Sequence, residues 1–438
     1  MAVKCRGEAG GHHLERKVGG LTVGYRPRIV DEELGRQLKA VGAVVLEGPK
    51  AVGKTATATR QAASAVYLDT DLRARDAASI DPRLVLEGLA PRLIDEWQVV
   101  PEVWNHVRRE VDRRQGPGQF ILAGSAVPAD DLSRHTGAGR VARVRLRPMT
   151  LFEQGHSAGK VSLAGVFDGE GPAPAVSEMT VPQLVDRVCA GGWPAMLDLA
   201  VPDAQQALRN YLGEVARTDI NRVDGVSRDP ERVSQVMRSL ARNVATQAAA
   251  TVIAADTAGD DEPVHRRTVP EYLTALARLM VVEDQPAWTP RLRSRSSLRT
   301  SAKRHFVDPC LAVAALGASP QRLLADLRYF GFLFESLVVR DLRVYSQPLG
   351  GRVLHYRDNT GLEVDVIIEL ADGRWAGIEV KLGARQVDQG ADSLRDFAAR
   401  VDLTSCGEPA FLAVVTGSGY SYRRPDGILV IPVGSLGP

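Results

Sequence analysis

Residues 48–55 form a Gly-rich loop between a predicted strand and a predicted helix, and this arrangement restricts the fold more than any other feature of the chain. The loop reads Gly48-Pro-Lys-Ala-Val-Gly-Lys-Thr55 and fits the phosphate-binding pattern G-x-x-x-x-G-K-[ST]. The apolar run at 41–47 predicts a buried strand, and the composition of residues 56–63 favours a helix. Strand, loop and helix in this order predict an open α/β sheet with a phosphate ligand at the carboxyl ends of its strands.

The whole loop is a candidate nucleotide-binding element, with ATP as the expected ligand and Mg²⁺ as its companion. The two glycines let the backbone curl so that successive N–H groups face phosphate oxygens. Lys54 is expected to reach the β- and γ-phosphates, and the Thr55 hydroxyl to ligate Mg²⁺. The candidate binding residues are Gly48, Pro49, Lys50, Ala51, Val52, Gly53, Lys54 and Thr55.

Two carboxylates about forty residues beyond the loop are candidates for metal binding and catalysis. The predicted strand that contains Leu93 and Ile94 runs directly into Asp95 and Glu96. Asp95 is the predicted Mg²⁺ ligand, and Glu96 the predicted general base that polarises the attacking water. The alternative is a solvated acidic pair with no role in catalysis.

Two further polar residues are candidate catalytic groups. Ser125 follows the apolar run at 119–124, so it is expected beside the γ-phosphate; the alternative is a serine that opens a turn. Arg140 follows a Gly-rich loop and is a candidate arginine finger for its own or a neighbouring subunit. The alternating Arg143, Arg145 and Arg147 are more typical of the outer face of a strand.

Composition limits the classes of protein that the chain resembles. It has 438 residues, of which 44% are hydrophobic and 25% charged, so we expect more than one globular domain. The net charge of +2 confines any nucleic-acid role to a local basic patch. The four cysteines are widely separated and no apolar run is long enough to span a membrane. These features favour a cytoplasmic protein, and a homo-oligomer is left open.

The predicted fold class is α/β, with three folded units. The pattern around residues 231–285 gives several short helices followed by one strand, an order that resembles a winged helix. The predicted units are a flexible tail at 1–20, a P-loop ATPase domain at 21–157, a linker at 158–180, a helical winged-helix-like region at 181–305 and a C-terminal α/β domain at 306–438.

Residues 290–304 form a basic stretch that is a candidate DNA-binding segment. Six cations fall in it without an acid, and such a group can neutralise several phosphates. The alternative is a basic loop that pairs with acids elsewhere in the fold. The cations are Arg291, Arg293, Arg295, Arg299, Lys303 and Arg304.

A second group of candidate catalytic residues lies near the C-terminus. Alternating residues on either side of an Asp-Gly turn predict a β-hairpin over residues 356–381. Because residues two apart share a face, Asp365 and Glu379 are expected to converge beside Lys381, with Glu335 as a further carboxylate. Two carboxylates that hold Mg²⁺ or Mn²⁺ next to a lysine meet the needs of phosphodiester hydrolysis. The alternative is an ordinary charged hairpin.

The order of these motifs resembles the predicted AAA-type ATPases that carry a C-terminal domain of unknown function 4143. Besides the loop and the residues already described, the resemblance includes Tyr25-Arg-Pro-Arg28, Gly191-Gly-Trp-Pro194, the segment ending Arg217-Thr-Asp-Ile220, and Phe306-Val-Asp-Pro309. It covers most of residues 21–400, and Lys50 stands where family members often have Arg. The resemblance implies ATP binding, ATP hydrolysis, and a C-terminal fold similar to that of PD-(D/E)XK nucleases.

Two functions follow as hypotheses. The first is an ATPase whose nucleotide state controls DNA binding or processing by a nuclease-like C-terminal domain. The alternative is an ATP-dependent switch or scaffold that binds a protein or nucleic acid without nuclease chemistry.

Overall fold

The computed structural model describes residues 24–125, 136–257, 264–290 and 301–438, together with one short antiparallel strand pair near the N-terminus. The strands of this pair are β1 (Lys17–Val18) and β2 (Leu21–Thr22). The rest of the predicted tail lies outside the described residues. Among the described helices, none combines the length and apolarity needed to cross a bilayer.

A parallel five-stranded sheet forms the N-terminal domain, in the order β4-β5-β6-β3-β7. Its inner strands are mainly apolar, with charged residues only at their ends, because helices cover both faces of the sheet. The strands are β3 (Ala43–Glu47), β4 (Ser64–Tyr67), β5 (Arg92–Asp95), β6 (Phe120–Gly124) and β7 (Val141–Arg145). Since all five strands point the same way, the residues that follow β3, β5 and β6 meet at one edge.

Four helices cover this sheet and create a separate apolar core on each face. They are α1 (Val30–Ala40), α2 (Lys54–Gln61), α3 (Leu72–Ile80) and α4 (Val103–Arg114). Val30, Leu34 and Leu38 are the buried residues of α1, and their spacing places them on one helical face. The predicted strand–loop–helix order is therefore confirmed in the part of the chain that holds the Gly-rich loop.

The middle of the chain is helical. Its helices are α6 (Val181–Ala190), α7 (Val201–Glu214), α8 (Ile220–Arg222), α9 (Pro230–Arg242), α10 (Ala250–Asp256) and α11 (Val269–Arg278). A single π-helical turn, Val215–Asp219, joins α7 to α8. The segment predicted as a wing strand forms two antiparallel bridges, Val282 with Phe306 and Gln285 with Lys303.

The C-terminal domain places one long helix against a mixed seven-stranded sheet of order β10-β11-β12-β13-β15-β14-β9. Its helices are α12 (Pro309–Leu316), α13 (Pro320–Ala325), α14 (Leu327–Ser346), α15 (Val387–Arg400) and α16 (Leu403–Cys406). Its strands are β10 (Arg352–Arg357), β11 (Glu363–Glu369), β12 (Trp375–Lys381), β13 (Phe411–Thr416), β14 (Gly419–Arg423), β15 (Leu429–Pro432) and β16 (Leu436–Gly437). Helix α14 is buried along most of its 20 residues.

Residues 158–180 were predicted to be a linker, and the structure corrects this. They form β8 (Val161–Ser162), α5 (Leu163–Phe167) and β9 (Ala175–Ser177). Strand β9 pairs antiparallel with β14, and β8 pairs parallel with β16. Distant strands of the C-terminal region supply the hydrogen-bond partners of this segment, so it packs against them and is not a free linker.

Candidate functional site

The Gly-rich loop curls around the carboxyl end of β3 and leads directly into α2. Gly53 has φ 102°, a left-handed conformation that favours glycine. A Cβ on Gly48 would lie 2.3 Å from the Leu146 carbonyl oxygen, so this position cannot accept a side chain without a backbone shift. Both glycines of the motif therefore have a steric reason to be glycine.

Lys54 points back into the loop that it follows. Its buried ammonium donates to the carbonyl oxygens of Gly48 at 2.9 Å and Pro49 at 2.8 Å. Burial lowers the pKa of Lys54 to about 8, although the nearby Glu96 and Asp95 carboxylates oppose the decrease. The side chain is thus a positive charge at neutral pH, held where phosphate oxygens are expected.

Thr55 and Asp95 form the second part of this site. The Thr55 hydroxyl donates to Asp95 Oδ2 at 2.9 Å, across the carboxyl end of β5. Burial is the main cause that raises the pKa of Asp95 to about 6; the neighbouring Glu96 and Asp69 contribute to the increase, and the Thr55 hydrogen bond opposes it. One hydroxyl and one carboxylate at this edge form a donor set that suits Mg²⁺ bound to a nucleotide.

Glu96 and Ser125 lie together at the same edge. The Ser125 hydroxyl donates to Glu96 Oε2 at 3.3 Å, and the Gln98 amide donates to the same oxygen. Glu96 has φ 50°, which is uncommon for a non-glycine residue, and this turn directs it away from the strand. The sequence patterns did not predict Gln98 as a site residue. Its position two residues after Glu96 is the one feature of the sequence that could have indicated it.

Arg140 is not brought to this edge. It precedes β7 and therefore lies at the amino end of the sheet, where it pairs with Asp112 at 2.7 Å. The loop that holds Lys54 is at the other end of the strands, so the hypothesis of a finger acting within its own chain is wrong. A finger acting on a neighbouring subunit stays a prediction.

Residues from outside the N-terminal sheet hold the outer side of the loop. The Lys50 ammonium pairs with Asp219 at 2.5 Å, and the Trp193 indole donates to the Lys50 carbonyl at 3.0 Å. Arg28 donates to the Val52 carbonyl at 3.2 Å. The motifs that contain Arg28, Trp193 and Asp219 are part of the family resemblance, but their sequence does not predict a contact with the loop.

A buried polar chain continues from Trp193 towards α14. The Gly192 N–H donates to Asp308 Oδ2 at 3.1 Å, and Arg340 donates to the same oxygen at 2.7 Å. Arg340 also donates to Asp341, which accepts the Leu151 N–H at 3.2 Å. Burial raises the pKa of Asp341 to about 6, but the Arg340 guanidinium opposes the increase.

The predicted hairpin is confirmed: β11 and β12 pair antiparallel, with Val366 opposite Ile378. Lys381 Nζ lies 2.5 Å from Glu379 Oε2 and 3.5 Å from Asp365 Oδ2. Asp365 and Glu379 thus converge on one lysine, as expected. Burial raises the pKa of Glu379 to about 8, and the adjacent Asp365 adds to the increase.

Lys303 enters the same group of acids, which was not predicted. Its ammonium lies 2.7 Å from Glu335 Oε1, 2.9 Å from Glu363 Oε1 and 3.4 Å from Asp365 Oδ1. Burial raises the pKa of Glu335 to about 8. Glu335, Glu363, Asp365 and Glu379 are referred to below as the carboxylate cluster.

The basic stretch therefore divides into two parts. Lys303 and Arg304 pair with acids inside the fold, Arg304 with Asp284, as the alternative interpretation of the stretch expected. The remaining cations, Arg291, Arg293, Arg295 and Arg299, lie outside the described residues.

Comparison with protein families identifies two of the units. Residues 41–154 match the AAA domain family, and residues 330–436 match the domain of unknown function DUF4143. The chain carries an AAA-type P-loop ATPase domain and a C-terminal DUF4143 domain. Between them, residues 181–322 match a second domain of unknown function, DUF8612.

Relatives that match most of the chain, and solved structures that resemble part of it, are known as well. Uncharacterized proteins of Mycobacterium bovis and Mycobacterium tuberculosis are each 26% identical over 409 residues, which cover 92% of this chain and 82% of the relative. A Walker-type ATPase of Pyrococcus abyssi has a TM-score of 0.40 and 12% identity, covering 65% of this chain and 94% of its own. A signal transduction ATPase with numerous domains from Pyrococcus horikoshii has a TM-score of 0.24 and 15% identity, covering 78% and 50%.

The two acidic sites differ in their suitability for a metal ion. In the AAA domain, Thr55 and Asp95 supply a hydroxyl and a carboxylate, a donor set that suits a nucleotide-bound Mg²⁺. In the DUF4143 domain, Lys303 already occupies the space among the acids. Within the described part of the chain, no group of three or more His, Cys, Asp or Glu side chains has the arrangement of a metal site.

Proposed function

We propose that the protein is an ATP-driven switch that binds and hydrolyses ATP in its AAA domain. The observation that carries this proposal is the convergence of Lys54, the Thr55–Asp95 pair and Glu96 at one edge of the sheet. These groups supply a phosphate-binding cation, a metal-binding pair and a carboxylate for the attacking water.

Each side chain has a distinct role in this mechanism. Lys54 exchanges its loop carbonyl partners for phosphate oxygens, which bind an ammonium more strongly because they are charged. Thr55 and Asp95 would hold Mg²⁺, and a bound Mg²⁺ would supply the positive charge that offsets the phosphates. Glu96 accepts a proton from the attacking water, and Ser125 fixes the orientation of the Glu96 carboxylate through its hydrogen bond.

The nucleotide state is proposed to reach the DUF4143 domain through the buried polar chain. Lys50 and Trp193 join the loop to the helical middle, and Asp308 and Arg340 join that region to α14. Helix α14 also carries Glu335 into the carboxylate cluster. A chain of such hydrogen bonds can couple two sites when both sites favour the same one of two alternative arrangements of a shared element. In this proposal, the C-terminal half is the part of the switch that binds a protein or nucleic-acid partner.

ATP turnover and nucleotide affinity test the proposal. Lys54→Ala should weaken ATP binding at least tenfold, and Glu96→Gln should bind ATP normally but hydrolyse it at least a hundredfold more slowly. Lys39→Ala, which removes an exposed cation near the end of α1, is the matched control and should behave like the wild type. Equal turnover in the wild type and Glu96→Gln would overturn the assignment of the base.

Phosphodiester hydrolysis in the DUF4143 domain is the second candidate function. The convergence of Asp365 and Glu379 on Lys381 favours it, whereas the Lys303 contacts oppose it. Cleavage of plasmid and linear DNA in Mn²⁺ should be compared for the wild type and Lys381→Ala. Cleavage by the wild type that is lost in the variant would establish this function, and equal or absent cleavage would exclude it.

DNA binding through residues 290–304 is a related proposal. Binding should weaken as salt increases, and the triple change of Arg291, Arg293 and Arg295 to Ala should reduce both the affinity and its salt dependence. An unchanged affinity would remove the basis for this part of the function.

A further inference from the structure

We propose that the Lys303 ammonium is the resident cation of the carboxylate cluster and that it excludes a divalent metal from the DUF4143 domain. Lys303 is fully buried, with 2% of its side chain exposed, and three of its neighbours within 3.4 Å are carboxylate oxygens. An ammonium has three N–H donors, so the three acids match its hydrogen-bonding capacity.

Other oxygens of the cluster are also engaged. Asp365 Oδ2 accepts the Val380 N–H at 2.9 Å and faces Lys381, while Glu379 Oε1 accepts the Ser393 hydroxyl at 3.3 Å. The two lysines therefore lie on either side of Asp365 and contact different oxygens of it. Mg²⁺ requires six ligands in near-octahedral geometry at about 2.0–2.1 Å, and the ammonium stands where such an ion would need to be.

The backbone fixes Lys303 in this position. Its N–H and carbonyl both bond to Gln285, at 3.0 and 2.9 Å. The Gln285 amide in turn donates to the Asp365 carbonyl at 3.0 Å, and Gln285 Oε1 contacts the buried His305. The backbone of Lys303 is thus anchored through Gln285 to the strand that carries Asp365, which places the root of its side chain beside the cluster.

The charges of the cluster support the same conclusion. Four carboxyl groups face the ammonium groups of Lys303 and Lys381, and the Arg357 guanidinium lies 3.7 Å from Glu363 Oε2. Lys303 and Lys381 thus place positive charge on both sides of Asp365 without any metal ion.

Metal titration of the nucleotide-free, chelator-treated full chain tests this inference independently of ATP binding. Mn²⁺ affinity would be measured by calorimetry and by the loss of the free-ion electron paramagnetic resonance signal. Lys303→Met should gain a Mn²⁺ site at least tenfold tighter than any in the wild type, and the further change Asp365→Asn should remove it. Arg304→Met, which alters the adjacent cation that pairs outside the cluster, is the matched control and should gain no site.

The wild type provides a test even if Lys303→Met does not fold. Asp365→Asn alone should leave the Mn²⁺ titration of the nucleotide-free chain unchanged, because no metal occupies the cluster. Loss of a Mn²⁺ site in this variant would overturn the inference, as would equal Mn²⁺ affinity in the wild type and a folded Lys303→Met. Neither result bears on ATP affinity, so failure here is distinct from failure of the proposed switch.

Discussion

The ammonium of Lys50 lies 2.5 Å from the Asp219 carboxylate, so a residue in the phosphate-binding loop is tied to the π-helical turn between α7 and α8. Asp219 is nearly buried, with 7% of its side chain exposed, whereas 46% of the Lys50 side chain is exposed. The pair places the helical middle in direct contact with the loop that is proposed to bind ATP.

Double-mutant analysis should detect this contact as a modest coupling. Lys50→Ala and Asp219→Ala, alone and together, are expected to give an interaction free energy of about 0.5–1 kcal/mol in urea unfolding, because one partner is half-exposed. The exposed pair Arg26 and Asp198 is the control and should give a smaller value. Strict additivity for Lys50 and Asp219 would show that the contact does not join the two regions.

Acid should weaken the binding of Mg·ATP through Asp95. Its pKa is raised to about 6, so Asp95 is ionised above this pH and becomes protonated as the pH falls through it. A protonated carboxyl is a poor metal ligand, and the affinity should fall about tenfold per pH unit below 6. The dissociation constant for Mg·ATP, measured from pH 7.5 to 5, tests this. Asp95→Asn should bind Mg·ATP weakly at every pH in this range. If its affinity fell with pH as steeply as that of the wild type, Asp95 would not be the group that titrates.

Replacement of Gly48 by alanine should damage the loop. Because the added methyl would meet the backbone oxygen of Leu146, the strand and loop must move apart, and we expect a loss of about 1–3 kcal/mol in the free energy of unfolding together with a loss of ATP affinity. Gly116→Ala is the control, since a Cβ there has no neighbour within 4 Å. Thermal unfolding that is equal in the two variants would contradict the steric argument.

The buried Arg340 should be needed for stability. It holds Asp308 and Asp341, which are both fully buried, so Arg340→Met leaves two acids without their cation. The expected loss is about 3–5 kcal/mol in the free energy of unfolding. Arg352→Met removes an exposed partner of Glu369 and should cost less than about 1 kcal/mol. A comparable, small loss in both variants would argue against a structural role for the buried pair.

The carboxylate cluster should make stability fall as the pH rises from about 5 to 8. Glu335 and Glu379 keep their protons in the folded chain up to a pKa of about 8, whereas the ordinary value is 4.5. A raised folded pKa contributes stability that is present below the unfolded pKa and is lost as the pH rises through the folded one. The decrease should be up to about 1.4 kcal/mol per pH unit for each group.

Urea unfolding at several pH values measures this slope. Glu335→Gln should remove the contribution of one group and flatten the profile, while Glu369→Gln, outside the cluster, should leave the slope as in the wild type. An unchanged slope in Glu335→Gln would show that this carboxyl does not titrate in the expected range.

Sequence patterns correctly predicted the features that depend only on residues close together in the chain. The loop at 48–55, the strand that ends at Asp95 and the alternation around Asp365 are all short-range signals, and each gave the right element. Lys303 was placed with DNA-binding cations because its partners Glu335 and Asp365 are 32 and 62 residues away. Arg140 was misplaced for a related reason: the pattern locates a strand but does not show which end of the sheet its first residue occupies.

The pairing of β9 with β14 also affects how the molecule can be divided. A fragment that starts at residue 306 would lack β9 and expose the backbone of β14, with Tyr420 and Tyr422 on its surface. Unpaired edges of this kind recruit other chains. Such a fragment is therefore expected to aggregate, and autonomous expression of the C-terminal half calls for a chimera in which residues 158–180 are joined to it.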